Sequence, residues 1–446
     1  MSPSHRLIRH NIFASSTDGA AFGGMVGIGE SYVAAFALAL GLGELVSGLV
    51  ASLPVLAGGF MQLISLPAVR WMGSERRWIL FCASVQAISF LPFVVAALMG
   101  SMPVLLVFGV ASIYWGAGLA TGPAWSVWIE TMIPREIRVR YFARRSRLTQ
   151  ISTMFGFILG GVALSVMESR GDVLRGFAIM FASALLMRLL SVYWLAKHVS
   201  LDRPLREVVK TTPAQESVNP TRSLMTKQGK RLIIFLVALQ GCVQLSGPFF
   251  TPFMLKELQL TYSAYVGLIA VSFVTKAMSL SVWANIAKRT SAGTLLWIGS
   301  VGIVPLASLW IVSSNYYWLM SVQLLSGWLW AAYELGFFLM FFEVLPKNRR
   351  VQMLTVYNFA NSAAIFVGAS CGALILWLSG AGIIGYWTLF GLSSLGRLLC
   401  LGILASAGLA AVPVIGISVR VLGIRVGNAS LDTPVIPSLN DATNTR

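Results

Sequence analysis

The chain repeats itself at a separation of 212 residues, and that repeat limits the fold more than any other feature. Arg76-Arg77 returns as Lys288-Arg289, Pro134 as Pro346, Arg138 as Arg350, and Gly156-x-x-x-Gly160 as Gly368-x-x-x-Gly372. A shift of three residues then aligns Arg188-Leu-Leu-Ser with Arg397-Leu-Leu-Cys. Glycine occurs 42 times, so its matches alone carry little; the ungapped series of basic pair, proline, arginine and glycines carries the argument. Two similar halves follow one another.

Between the repeated marks lie long apolar runs. With 57% hydrophobic and 11% charged residues and a mean hydropathy of +0.77, the chain cannot cover a water-facing surface with polar groups. About 20 apolar residues cross ~30 Å of hydrocarbon as a helix. Such stretches are read near 18–42, 45–69, 78–99, 103–132, 148–168, 176–197, 232–255, 262–286, 294–313, 317–345, 351–379 and 383–412. That is about twelve spans, six per half, with the fourth and tenth long or kinked. Their length predicts helices rather than barrel strands, which need only about ten residues of alternating polarity. Arg6 and Arg9 precede an apolar run containing Ala35-Phe-Ala37, but the run continues past Leu38 and reads as a first span rather than a cleavable leader.

The net charge of +17 follows the membrane and does not read as a nucleic-acid footprint. Arg6 and Arg9, Arg70 with Arg76 and Arg77, Arg135 through Arg147, Lys288 with Arg289, and Lys347 through Arg350 fall on alternate loops, whereas the other loops hold little beyond Arg170, Arg175 and Lys256. By the positive-inside rule the first set, both termini and the basic 198–231 segment are cytoplasmic, in a cell (inner) membrane. Part of this charge suits anionic lipid headgroups. The expected organisation is a bundle over 1–199, a linker over 200–230, a second bundle over 231–412 and an unstructured tail over 413–446. The linker carries Pro204, Pro213 and Pro220, and the tail is rich in Asn, Thr, Pro and Ser.

Two six-span halves in parallel repeat, joined by a basic linker, resemble the major facilitator superfamily of secondary transporters. The most specific local mark is E-x-x-P-x-x-x-R after the fourth and tenth spans. Glu343-Val-Leu-Pro346-Lys-Asn-Arg-Arg350 fits it fully, and Glu130-Thr-Met-Ile-Pro134-Arg-Glu-Ile-Arg138 fits with one extra residue. A carboxylate near a span end, a proline that stops the helix and an arginine beyond it can form a boundary ion pair, so Glu130 with Arg138 and Glu343 with Arg350 are expected gating pairs, or else interfacial anchors. The chain departs from the family in the loop after the second span, Leu66-Pro-Ala-Val-Arg70-Trp-Met-Gly73-Ser-Glu-Arg76-Arg77, where Arg70 stands in place of an aspartate. The matching loop, Ile286-Ala-Lys288-Arg289, also lacks the acid.

Ions deep in a span cost several kcal/mol unless they face a cavity or a partner, so they mark candidate sites. Glu30 lies in the first span, Glu334 in the tenth, Lys276 in the eighth, and Arg188 and Arg397 in the sixth and twelfth. The resemblance implies that spans one, four, seven and ten line a central cavity, which gives Glu30 and Glu334 a substrate or proton-coupling role. Lys276 is a charge-matched partner for Glu334. Arg188 and Arg397 read first as snorkelling or interhelical groups and second as anion contacts. Gln240 and Gln244, one turn apart, line the cavity or join helices. The aromatics Trp328, Trp330, Tyr333, Phe337 and Phe338 around Glu334 are packing, or else the wall of an organic-solute site.

Other classes fall away. His5, His10 and His198 all lie outside the expected spans, and no nucleotide loop, nucleophile elbow or zinc-protease motif occurs. No enzyme, metal or cofactor is therefore expected, and the four cysteines read as packing residues. The expectation is a permease, monomeric and coupled to protons, that moves a small organic solute among membrane lipids. The alternative is a non-transporting receptor or lipid-handling protein on the same fold.

Overall fold

In a computed structural model, residues 3–132, 135–198, 227–287, 290–344, 350–380 and 382–406 are described. All elements among them are helical, and they form twelve spans. Ten are long and apolar enough to cross a bilayer by length and composition. The ninth is broken after Ile303 into Ala292–Ile303 and Leu309–Val312. The tenth, Tyr316–Val344, is a helix of 29 residues that carries Glu334. Large apolar side chains such as Leu105, Leu186, Met278 and Leu399 stand exposed on the outside of the bundles, as lipid-facing residues do.

Several boundaries differ from those read in the sequence. The first helix begins at Pro3, the fifth at Arg135 and the seventh at Lys227, each well before its apolar run, because amphipathic helix continues into the basic flank. The last helix ends at Ser406, and the rest of the expected second bundle and tail lies outside the described residues, as does most of the linker. His10 accordingly sits inside the first helix, not in a loop.

The repeated glycines set the packing. A Cβ on Gly23 or Gly27 would overlap the carbonyls of Thr149 or Thr153, and one on Gly156 would meet the Gly24 carbonyl at 2.7 Å, so the first and fifth spans touch backbone to backbone. In the second half, Gly368 and Gly372 sit equally close to the carbonyls of Gly241 and Leu245, joining the seventh and eleventh spans. Small residues permit such approach where lipid supplies no hydrophobic drive between helices. One apolar cluster runs across both halves, joining Phe36, Phe93, Phe177 and Phe181 to Phe249, Phe253 and Tyr386. A second lies within the second half, with Leu295, Leu296, Tyr333 and Phe337, and a third within the first, with Trp78, Ala120 and Trp128.

Helix ends are satisfied across spans. Arg76 donates to the Ala196 carbonyl and His10 Nε2 lies 3.1 Å from the Lys197 carbonyl, so both cap the sixth span from within the same bundle. Arg397 Nη1 donates to the Ile303 carbonyl at 2.9 Å, the group freed where the ninth span breaks.

Candidate transport site

The first and seventh spans are interrupted at matching depths. Pro3–Ile28 gives way at Gly29 to a 3-10 turn, Glu30–Tyr32, and then Val33–Ala39. Lys227–Ser246 gives way to a 3-10 turn, Gly247–Phe249, then Phe250–Pro252 and a π-turn, Phe253–Glu257. Pro248 and Pro252 lack the amide protons a continuous helix needs. Gly29 is required sterically, because a Cβ there would lie 2.6 Å from that of Ala184 and 2.8 Å from the Phe90 ring. Non-helical backbone at membrane depth is tolerated where it borders a cavity, and paired interruptions in two halves point to a binding site.

A small pocket, of about 40 Å³, lies between these breaks. Glu30, Phe90, Tyr114 and Trp115 line it from the first half, and Pro248 and Thr251 from the second. Glu30 is half-buried, and its Oε2 accepts a hydrogen bond from the Tyr114 hydroxyl at 2.6 Å. That hydroxyl also lies 3.2 Å from Met25 Sδ. Tyr114, Trp115, Pro248 and Thr251 were not singled out in the sequence. A mid-span Tyr-Trp pair and a Gly-Pro pair inside an apolar run were the signals available.

The other expected site residues sit elsewhere. Lys276 and Glu334 do meet, Nζ to Oε1 at 2.5 Å, with side chains only 10% and 3% exposed. Gly327 makes this possible, since its missing Cβ lets the tenth span rest on the Ser272 carbonyl and Lys276 amide of the eighth. Neither Lys276 nor Glu334 lines the pocket at Glu30, so the two carboxylates serve different places. Gln240 and Gln244 are buried in the seventh span, and the Gln244 amide finds no hydrogen-bond partner among the described residues. Trp330 and Tyr333 pack edge-to-face at 5.5 Å beside Glu334. The expected gating calls on Glu130, Arg138, Glu343 and Arg350 fall on side chains outside those described.

Arg188 and Arg397 are buried and bond inside their own bundles. Arg188 Nη1 donates to Ser191 Oγ at 2.7 Å and lies over the Phe22 ring, whereas Arg397 Nη2 reaches Ser246 Oγ at 3.1 Å. The Arg188 cluster is anchored by Asp18, which the sequence reading left at the edge of its first span. Asp18 accepts from Ser191 at 2.6 Å and pairs with Arg145 at 2.9 Å, while Arg145 also lies 4.4 Å from the Trp125 ring centre. Arg145, counted as a loop charge, thus points into the bundle.

A second missed carboxylate, Glu44, is buried between the halves on the face opposite the basic loops. Its Oε1 meets Lys256 Nζ at 2.5 Å, and its Oε2 accepts from the Tyr386 hydroxyl at 2.6 Å. Nearby, Glu168 accepts from the Tyr262 amide at 3.3 Å, again joining the halves. These contacts close that face.

Two six-span repeats meeting around a polar pocket define an α-helical membrane transporter. The chain belongs to the major facilitator superfamily, whose family model matches residues 12–369. No curated protein matches it. Among solved structures it is similar to a bacterial homologue of the iron transporter ferroportin, at 14% identity over 91% of this chain and 99% of that one. The TM-score is 0.67 for that protein's inward-facing state and 0.54 for its outward-facing state. It is similar to a D-xylose-proton symporter at 16% identity over 88% of this chain and 97% of that one, with a TM-score of 0.64. The nucleoside transporter NupG follows at 16% identity, 90% and 98% coverage and a TM-score of 0.61. At these identities the likeness defines the fold alone.

Proposed function

We propose that this chain is a secondary active transporter that moves a small organic solute by alternating access, with proton exchange at Glu30 as the coupling step. The observation that carries the reading is the pocket at the paired helix breaks, where a half-buried carboxylate faces groups from both halves. A carboxylate that alternates between a dry and a wet surrounding loads and releases a proton as its surroundings change.

The alternating basic loops support a cytoplasmic location for both termini. The Glu44, Lys256 and Tyr386 contacts then close the outer face, which supports an inward-facing state. Residues 1–199 and 231–412 act as the rocking bodies, with Glu130–Arg138 and Glu343–Arg350 holding the cytoplasmic side when it closes.

The test begins with a thermal-shift screen of the purified monomer, and each hit is then followed in liposomes under an imposed pH gradient. Accumulation should follow the gradient in the native protein and lose that dependence in Glu30→Gln. A variant whose accumulation still tracks the gradient would refute the role of Glu30, and no net movement of any bound solute would refute transport.

A further inference from the structure

The lining of the pocket restricts what it can hold. Among the described residues that form it, Glu30 is the one charged side chain, and four aromatic residues surround it: Phe90, Phe93, Tyr114 and Trp115. The rings meet nearly at right angles, Phe90 to Tyr114 at 5.2 Å and 68°, Tyr114 to Trp115 at 5.9 Å and 88°. Aromatic walls beside a carboxylate are the surroundings that attract organic cations.

Other ligand classes fit poorly. An anion would face Glu30 with no base in the pocket wall to compensate it. A sugar needs many hydrogen-bond partners, yet the Ser31 hydroxyl already donates to the Val26 carbonyl and much of the remaining wall is Ala, Val and Phe. A bare metal ion would need a cluster of ligands, and no group of three or more His, Cys, Asp or Glu occurs among the described residues.

We propose that the Glu30 pocket binds a monovalent organic cation, an amine or quaternary ammonium attached to an aromatic or aliphatic body, with the charge between Glu30 and the faces of Tyr114 and Trp115. This assignment rests on the transport reading for its consequence but not for its chemistry. Solute and proton would then compete for one carboxylate, which makes exchange of one for the other the natural coupling.

The experiment compares three aromatic probes of different charge on the full chain in detergent: benzyltrimethylammonium, benzyl alcohol and benzenesulfonate, measured by calorimetry. The cation alone should bind saturably. Glu30→Gln should weaken it about ten- to hundredfold, as loss of a charge-assisted contact does, and Trp115→Ala about fivefold while Trp115→Phe largely restores it. Each variant is first shown to elute as the native protein does. Equal binding of benzyl alcohol or benzenesulfonate, no saturable binding of the cation, or an unchanged affinity in Glu30→Gln overturns the assignment. If the cation binds but never crosses liposomes in exchange for protons, the transport reading fails and the pocket chemistry stands. If a neutral solute is driven by the gradient while the cation does not bind, the reverse holds.

Discussion

Replacing Lys276 by methionine leaves Glu334 buried, with its side chain 3% exposed and its 2.5 Å partner gone. A buried carboxylate that has lost its counter-ion takes up a proton rather than stay charged. For an ordinary glutamate, titrating near 4.3, holding a proton at pH 7 costs about 1.36 kcal/mol per unit of separation, or about 4 kcal/mol. That agrees with the ~3–5 kcal/mol lost when one member of a buried pair is removed. At pH 5 the same protonation costs only about 1 kcal/mol, so the deficit of Lys276→Met should shrink by about 3 kcal/mol on acidification. The sign is fixed because the variant's folded state holds a proton that its unfolded state releases above pH 4.3. The double variant Lys276→Met with Glu334→Leu should recover most of the loss, since an apolar pair of similar volume often replaces a buried ion pair without penalty. Equilibrium unfolding in mixed micelles, followed by circular dichroism at both pH values, measures each difference. A single variant within about 1 kcal/mol of the native protein at pH 7, or a deficit that does not shrink at pH 5, would refute the reasoning.

Other predictions concern packing, the outer seal and pH. Gly27→Ala should cost about 1–3 kcal/mol by forcing the first and fifth spans apart, whereas Gly109→Ala, which meets nothing within 4 Å, should be neutral or stabilising in the same assay. Glu44→Ala removes both hydrogen bonds of the outer seal and should raise external labelling of a cysteine placed at Ala51 about tenfold in a cysteine-free background, with Tyr386→Phe having a smaller effect. Unchanged labelling would remove Glu44 from the seal. Burial beside Trp128 lowers the proton affinity of His198 below its ordinary value of about 6.5, with Asp18 and the Leu195 carbonyl opposing. Stability from the neutral ring is therefore complete above pH 6.5 and is lost as pH falls through the lower folded value; His198→Gln should flatten thermal stability between pH 7.5 and 5.5.

What the sequence revealed was what occurred twice. The glycines at 156, 160, 368 and 372 and the arginines at 188 and 397 were readable because duplication repeats a packing solution, and the structure puts each pair in equivalent places. The helix breaks at Gly29 and Gly247 were not read in the sequence, although Gly29-Glu30-Ser31 and Gly247-Pro248 mark them. Asp18 and Glu44 were missed because each stands at the margin of an apolar run, where an acid reads as a boundary, yet the helices begin earlier or tilt inward and bury both. Glu334 was legible as an anomaly, but its partner was legible only by sign, since no periodicity links spans eight and ten.

Thr251 and Lys256 belong to the same short upper piece of the seventh span, past the Gly247-Pro248 interruption. One touches the pocket and the other grips Glu44. The pocket and the Glu44 contact are therefore joined through the consecutive turns Phe250–Pro252 and Phe253–Glu257. In the proposed transport cycle, a guest that shifts Thr251 also strains the Lys256–Glu44 contact.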